Sequence, residues 1–166
     1  MAKRAPIILS HWYHSIEGLQ ESPQKFYNNL VEAISKRKLP DIDISRIDYR
    51  EGGVFSAKRT YLRVRRKEHI FDICAAPFGS GFFFSWWLGE KVSLFWSLVI
   101  LIPFLGMRLM STFRPQTYFR YDTALMFQQS ISSAVHEVIE VITKAKGLRA
   151  LSELEKKPIL SDFFKR

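Results

Sequence analysis

From Ile73 to Met107 the chain carries two charged residues, the adjacent Glu90 and Lys91. A stretch this poor in charge must lie in a protein interior or in hydrocarbon, because an open, solvated chain would gain nothing from so much apolar surface. A bilayer span needs roughly 20 apolar residues. Val92 to Met107 supply sixteen uncharged residues, and Arg108-Leu109-Met110 extend the run to nineteen with an arginine able to snorkel. Eleven aliphatic or phenyl residues lie between Val92 and Met110. At about −0.3 to −0.6 kcal/mol each, their insertion sums to on the order of −5 kcal/mol, partly offset by serine, Pro103, Gly106 and the terminal Arg108.

The expectation drawn from this block is a membrane insertion over residues 77–111. Its first arm is FGSGFFFSWWLG, with Phe82, Phe83, Phe84, Trp86 and Trp87 as membrane contacts. The second arm would present Leu94, Phe95, Trp96, Leu98, Ile100, Ile102 and Phe104. Tryptophan prefers the membrane–water interface. Lys58, Arg59, Arg63, Arg65, Arg66 and Lys67 precede the block, and Arg108, Arg114 and Arg120 follow it. Positive flanks stay on the cytoplasmic side, so two of them favour a hairpin with its tip near Glu90, both chain termini being cytoplasmic. One tilted span and a re-entrant wedge are the other membrane geometries. The soluble alternative is a pair of core helices over 82–110.

The rest of the sequence reads as an α+β domain. The expected fold is a small antiparallel three-stranded sheet packed by two amphipathic helices, with the hydrophobic helical hairpin inserted. Residues 22–38 form the first helix: Ser22 caps it, Pro23 sits at its first position, and Phe26, Leu30, Ala33 and Ile34 share a face. Pro40 stops it. DIDISRIDYR alternates, with a phase slip near Arg46 that predicts a bulge. Gly52-Gly53 and Lys67-Glu68-His69 mark turns on either side of a strand ending in KRTYLRVRR, and IFDICAA returns as the third strand. A long helix follows over 123–146, with Phe127, Ile131, Ala134, Val135, Val138 and Ile142 as its stripe and Gly147 just past its end. LRALSELEKK predicts a further short helix.

The expected organisation is therefore an N-terminal segment 1–21, an α-β-β-β part 22–76, the insertion 77–111, a connector and long helix 112–147, and a short helix and basic tail 148–166. The N-terminal text has a basic pair and a brief apolar run, but His11 and His14 interrupt it and no small-residue cleavage site follows, which argues against a signal peptide.

The formal net charge of +9 points to anionic partners. Alternation on KRTYLRVRR places Tyr61, Arg63 and Arg65 on one side. With Arg66, Lys67 and Arg108 they form the expected contact for lipid head groups or nucleic acid. No catalytic, cofactor or metal constellation stands out. One cysteine, Cys74, excludes an internal disulfide, and on a strand it shares a face with Asp72 while His69 points the other way. The function expected from the sequence is non-enzymatic: a membrane-anchored adaptor or assembly subunit that binds membrane lipid and holds an unidentified protein partner. The alternatives are a soluble nucleic-acid-binding protein and a pore-forming effector, and a homo-oligomer through the long helix is a further expectation.

Overall fold

The computed structural model describes residues 7–50, 58–91 and 117–161, with the side chain of Arg50 left aside. Their elements run β1 (Ile7–Glu17), α1 (Pro23–Lys36), β2 (Ile42–Arg50), β3 (Lys58–Arg66), β4 (His69–Phe78), β5 (Gly81–Glu90), α2 (Tyr118–Ala145) and β6 (Ile159–Leu160). All six strands belong to one sheet in the order β2-β3-β4-β5-β1-β6, every pairing antiparallel. The three-stranded sheet expected from the sequence is its β2-β3-β4 part.

The expected membrane hairpin is overturned. Its first arm is a strand, β5, hydrogen-bonded to β4 on one side and β1 on the other. Strand geometry sends successive side chains to opposite faces, so Phe82, Phe84 and Trp86 enter the core while Phe83 and Trp87 face the other way. An apolar strand in mid-sheet, packed on both edges and one face, reads as a continuous greasy run without any lipid. No helix among the described residues is long and apolar enough to cross a membrane. The expected second arm, with Leu94, Phe95, Trp96, Leu98, Ile100, Ile102 and Phe104, lies outside the described residues, as do Arg108 and the Gly52-Gly53 turn. A bilayer localisation built on that hairpin falls with it.

Both long helices pack on a single face. Ser22 caps α1 by accepting the Lys25 N–H, and Phe26, Tyr27, Leu30, Ala33 and Ile34 are buried from it. Phe26 meets Phe84 at 5.0 Å between ring centres. α2 begins five residues before the sequence suggests, because the Thr117 hydroxyl caps it by accepting from Arg120 N–H. Its expected stripe is buried throughout, with Phe127 edge-on to Phe71. Gly147, at φ 67°, takes the left-handed position that ends the helix. Leu62, Val64, Phe71, Ile73, Trp86 and Leu88 complete the core between sheet and helices.

Further differences follow from edges and ends. The N-terminal segment forms an interior strand, β1, which runs between β5 and the two-residue β6. The irregularity in pairing falls between Ile8 and Ser10 of β1, not at Arg46, where β2 pairs with β3 in unbroken register. Gly81 is needed where it stands, since a Cβ there would lie 2.8 Å from the Ile16 carbonyl oxygen. The stretch 149–158 forms no helix but a strap of turns. Arg149 and the Ser152 amide hold Glu155, whose carbonyl accepts the Trp12 indole N–H, and Leu151 plugs into the core.

Candidate functional site

No helix among the described residues covers the second face of the sheet. The register builds it row by row. Ser45, Arg63, Asp72, Trp87 and His11 are cross-strand neighbours in one row, and Ile47, Tyr61, Cys74, Ser85 and Tyr13 in the next. Beyond these rows Tyr49 pairs with Arg59 across β2 and β3, and Ala76, Phe83 and Ser15 are neighbours across β4, β5 and β1. The β3 row of Arg59, Tyr61, Arg63 and Arg65 is thus an arginine ladder with one ring set into it.

Aromatic residues flank a floor of smaller ones. On the β2–β3 side Tyr49 and Tyr61 meet edge to face at 5.2 Å. On the β5–β1 side His11 stacks on Trp87 at 4.7 Å and 12°, and Tyr13 stacks on Phe83 at 6.5 Å. Between them β4 contributes Asp72, Cys74 and Ala76. Adjacent strands lie about 4.8 Å apart, so the two aromatic sides are separated by roughly 10 Å at β3 and β5. The rings are reachable: Tyr13 is 58%, Tyr49 40% and Trp87 39% exposed.

The centre of the face is a closed polar network. Arg63 Nε and Nη2 donate to the two oxygens of Asp72, each at 2.7 Å, and Nη2 also donates to the Tyr49 hydroxyl at 2.6 Å. The Tyr49 hydroxyl donates in turn to Asp72 Oδ2 at 3.3 Å. The arginine and aspartate side chains are only 14% and 10% exposed. A fork-on-fork pair of this kind fixes the guanidinium in place. The carboxylate hydrogen bond raises the Arg63 pKa, against a smaller opposing effect of burial. Beside it Cys74 is buried, and desolvation pushes its thiol pKa up despite the nearby Arg59 and the hydrogen bonds from Tyr61 and Arg59. That environment suits an inert thiol, not a nucleophile.

Of the residues singled out in the sequence, Tyr61, Arg63 and Arg65 do share this face. Arg66 does not: it points to the opposite side, where its Nε donates to the Pro40 carbonyl at 3.2 Å. Lys67 is exposed at the tip of the β3–β4 turn, with φ at 52°. Phe83 and Trp87, expected as membrane contacts, lie on this face. Sequence reasoning missed Tyr13 and Tyr49 and took His11 only as a break in the N-terminal apolar run. Period-two alternation makes each available on its own strand, but which strands lie side by side depends on the register of the whole sheet.

Among the described residues, fold and face together define a class: two helices on one side of an antiparallel sheet and an accessible aromatic and cationic surface on the other. Comparison of the chain with protein-family models, with curated proteins and with solved structures finds no match.

Proposed function

We propose that this chain is a non-catalytic binding protein for single-stranded nucleic acid and that the face of the sheet opposite α1 and α2 is its binding surface. The observation that carries this reading is the alternation of rings and arginines across that face: Tyr49, Tyr61, Trp87 and Tyr13 beside Arg59, Arg63 and Arg65. Unpaired bases stack on aromatic side chains at about 1–3 kcal/mol each, and arginines neutralise the phosphates between them. The +9 charge of the chain draws a polyanion toward it. A flat sheet surface with residues at period two accepts an extended strand, whereas a duplex hides its bases from such rings. The membrane-anchored adaptor and the pore former both rely on an apolar hairpin whose first arm is here an interior strand, so neither draws support from the geometry.

The test is fluorescence anisotropy of labelled single-stranded ten-mers, titrated with the protein at several salt concentrations, with anionic vesicles in a parallel arm. Binding is expected to weaken steeply as salt rises, and the double charge reversal Arg59→Glu/Arg65→Glu is expected to abolish it while leaving the circular dichroism unchanged. Vesicle binding with no binding to any oligonucleotide sinks the proposal.

A further inference from the structure

The geometry points to Phe78 as a further base-stacking ring and to a bound strand that runs lengthwise above β4, its bases over β5 and β1 and its phosphates over β3. The inference rests on the nucleic-acid reading above and gives that ligand a path and an end.

Phe78 closes β4 and is 76% exposed. Alternation places it with Asp72, Cys74 and Ala76, on the side of the sheet opposite α1 and α2. Its cross-strand partner is Gly81, which has no side chain to cover the ring. The register then sets one ring in each of four consecutive rows of the face: Trp87 opposite Asp72, Tyr13 opposite Ser85, Phe83 opposite Ala76, and Phe78 itself. Rows are two residues apart, about 7 Å, so the ladder from Trp87 to Phe78 spans roughly 20 Å along the strands. Every base has a face to stack, so such a ladder takes successive bases whatever their identity.

A second ladder runs beside the first. On the described strands the arginines that point to this face all belong to β3, and Arg63 is already held by Asp72 and Tyr49. Arg59 and Arg65 are exposed and lie six residues apart, again about 20 Å. β4 separates them from the β5 rings by two strand spacings, roughly 10 Å, a gap that one nucleotide bridges from phosphate to base. Carboxylates stand outside both ladders, Asp43 beside Arg65 on β2 and Glu17 beside Gly81 on β1, and repel phosphate from either flank. A strand laid across the sheet would run toward those carboxylates and leave Phe78 with nothing to hold. The β2-side rings are committed within the protein: Tyr49 spends its hydroxyl on Arg63 and Asp72, and its ring meets Tyr61.

The experiment is the same anisotropy titration of a labelled ten-mer, run on three variants whose folding is checked by circular dichroism. Phe78→Ala is expected to weaken binding about tenfold, the effect of one lost base stack. Its ring is exposed, so the fold is expected to be unchanged. Phe78→Trp keeps a stacking surface and is expected to bind at least as tightly as the wild-type protein. Tyr49→Ala, on the β2 side, is expected to weaken binding less than Phe78→Ala does. A path across the sheet predicts the reverse order. An unchanged affinity in Phe78→Ala, or a larger loss in Tyr49→Ala, overturns the lengthwise path and leaves the binding face intact. So does a loss in Phe78→Ala that Phe78→Trp shares, since stacking would not then be its cause. Failure of the wild-type protein to bind any ten-mer overturns the underlying function, and the inference with it.

Discussion

The two faces of β5 differ more than any two regions of comparable composition in this protein. Phe82, Phe84, Trp86 and Leu88 point toward the helices and are fully enclosed. Phe83 and Trp87, from the same ten residues, point to the side opposite α1 and α2 and keep part of their surface in contact with solvent. Both sets are aromatic and adjacent in sequence, yet one holds the fold together and the other is available for a ligand. What separates them is on which side α1 and α2 lie, and a single strand cannot encode that.

The largest effect that distinguishes the two faces is on stability. Phe84→Ala empties a site where Phe26, Phe82 and the Phe84 ring meet at 5.0 Å centre to centre. It is expected to cost about 3–5 kcal/mol in urea unfolding, from lost burial plus the cavity left behind. If Phe83→Ala cost as much, the two faces would be equivalent in packing and the distinction drawn here would be wrong.

A second difference concerns pH, and it too favours the helix side. His136 sits on α2 edge-on to Trp12 at 4.9 Å, its Nε2 buried with no partner. Burial, helped by the nearby Lys156 ammonium and opposed weakly by Glu140 and Glu153, lowers its pKa from 6.5 to about 4. Between those values the unfolded chain holds a proton that the folded chain does not, so stability is complete above about pH 6.5 and declines as pH falls toward 4. With a discount for the part of the ring near solvent, the loss attributable to His136 is about 2 kcal/mol. Denaturation curves at pH 7 and pH 5 check this: His136→Phe should reduce the pH dependence, and an unaltered difference would assign it to other groups.

A smaller effect tests how α1 is fastened to the sheet. The Tyr27 hydroxyl donates to the Thr60 carbonyl at 2.8 Å and accepts the Ala75 N–H at 2.9 Å, joining β3 and β4 from the helix side. Tyr27→Phe leaves that buried amide unpaired and is expected to cost about 1–2 kcal/mol. Amide exchange at Ala75 should accelerate in the variant.

The helix side was the more legible one in the sequence, for a physical reason. α1 and α2 announce themselves through period-3.6 stripes and caps, Ser22 and Gly147 among them, which are local signals. The basic face of β3 is local as well, and Tyr61, Arg63 and Arg65 follow from alternation alone. β5 was illegible because an interior strand in contact with protein on three sides has lost the alternation that marks a half-exposed one. FFFSWW therefore offers no period to read, and its greasiness resembles that of a membrane segment. β1 carries a bulge near Leu9 that breaks its pattern, and polar Ser10 is buried there only because Gln128 of α2 accepts its hydroxyl proton. On the β5–β1 side His11 pairs with Trp87 and Tyr13 with Ser85, each more than seventy residues away, which no local pattern specifies, whereas Tyr49 pairs with Arg59 only ten residues on.

The smallest expected change in stability among these substitutions belongs to a ring of the proposed binding face. Trp87 touches His11 on one side and is 39% exposed. Trp87→Ala removes a stacked ring from a surface rather than from a packed interior, so no enclosed cavity forms and the unfolding free energy should shift by about 1 kcal/mol or less. Affinity for a single-stranded ten-mer should fall about tenfold, within the range a lost base stack brings. Phe84→Ala inverts that profile, damaging the fold while leaving every ring of the open face in place. The pair of variants thus forms a crossed test: two large aromatics three residues apart on one strand, one read out by denaturant and the other by oligonucleotide. Should Trp87→Ala destabilise the protein as severely as Phe84→Ala, the indole would be structural, and the face opposite α1 and α2 would lose the ring on which the binding reading most depends.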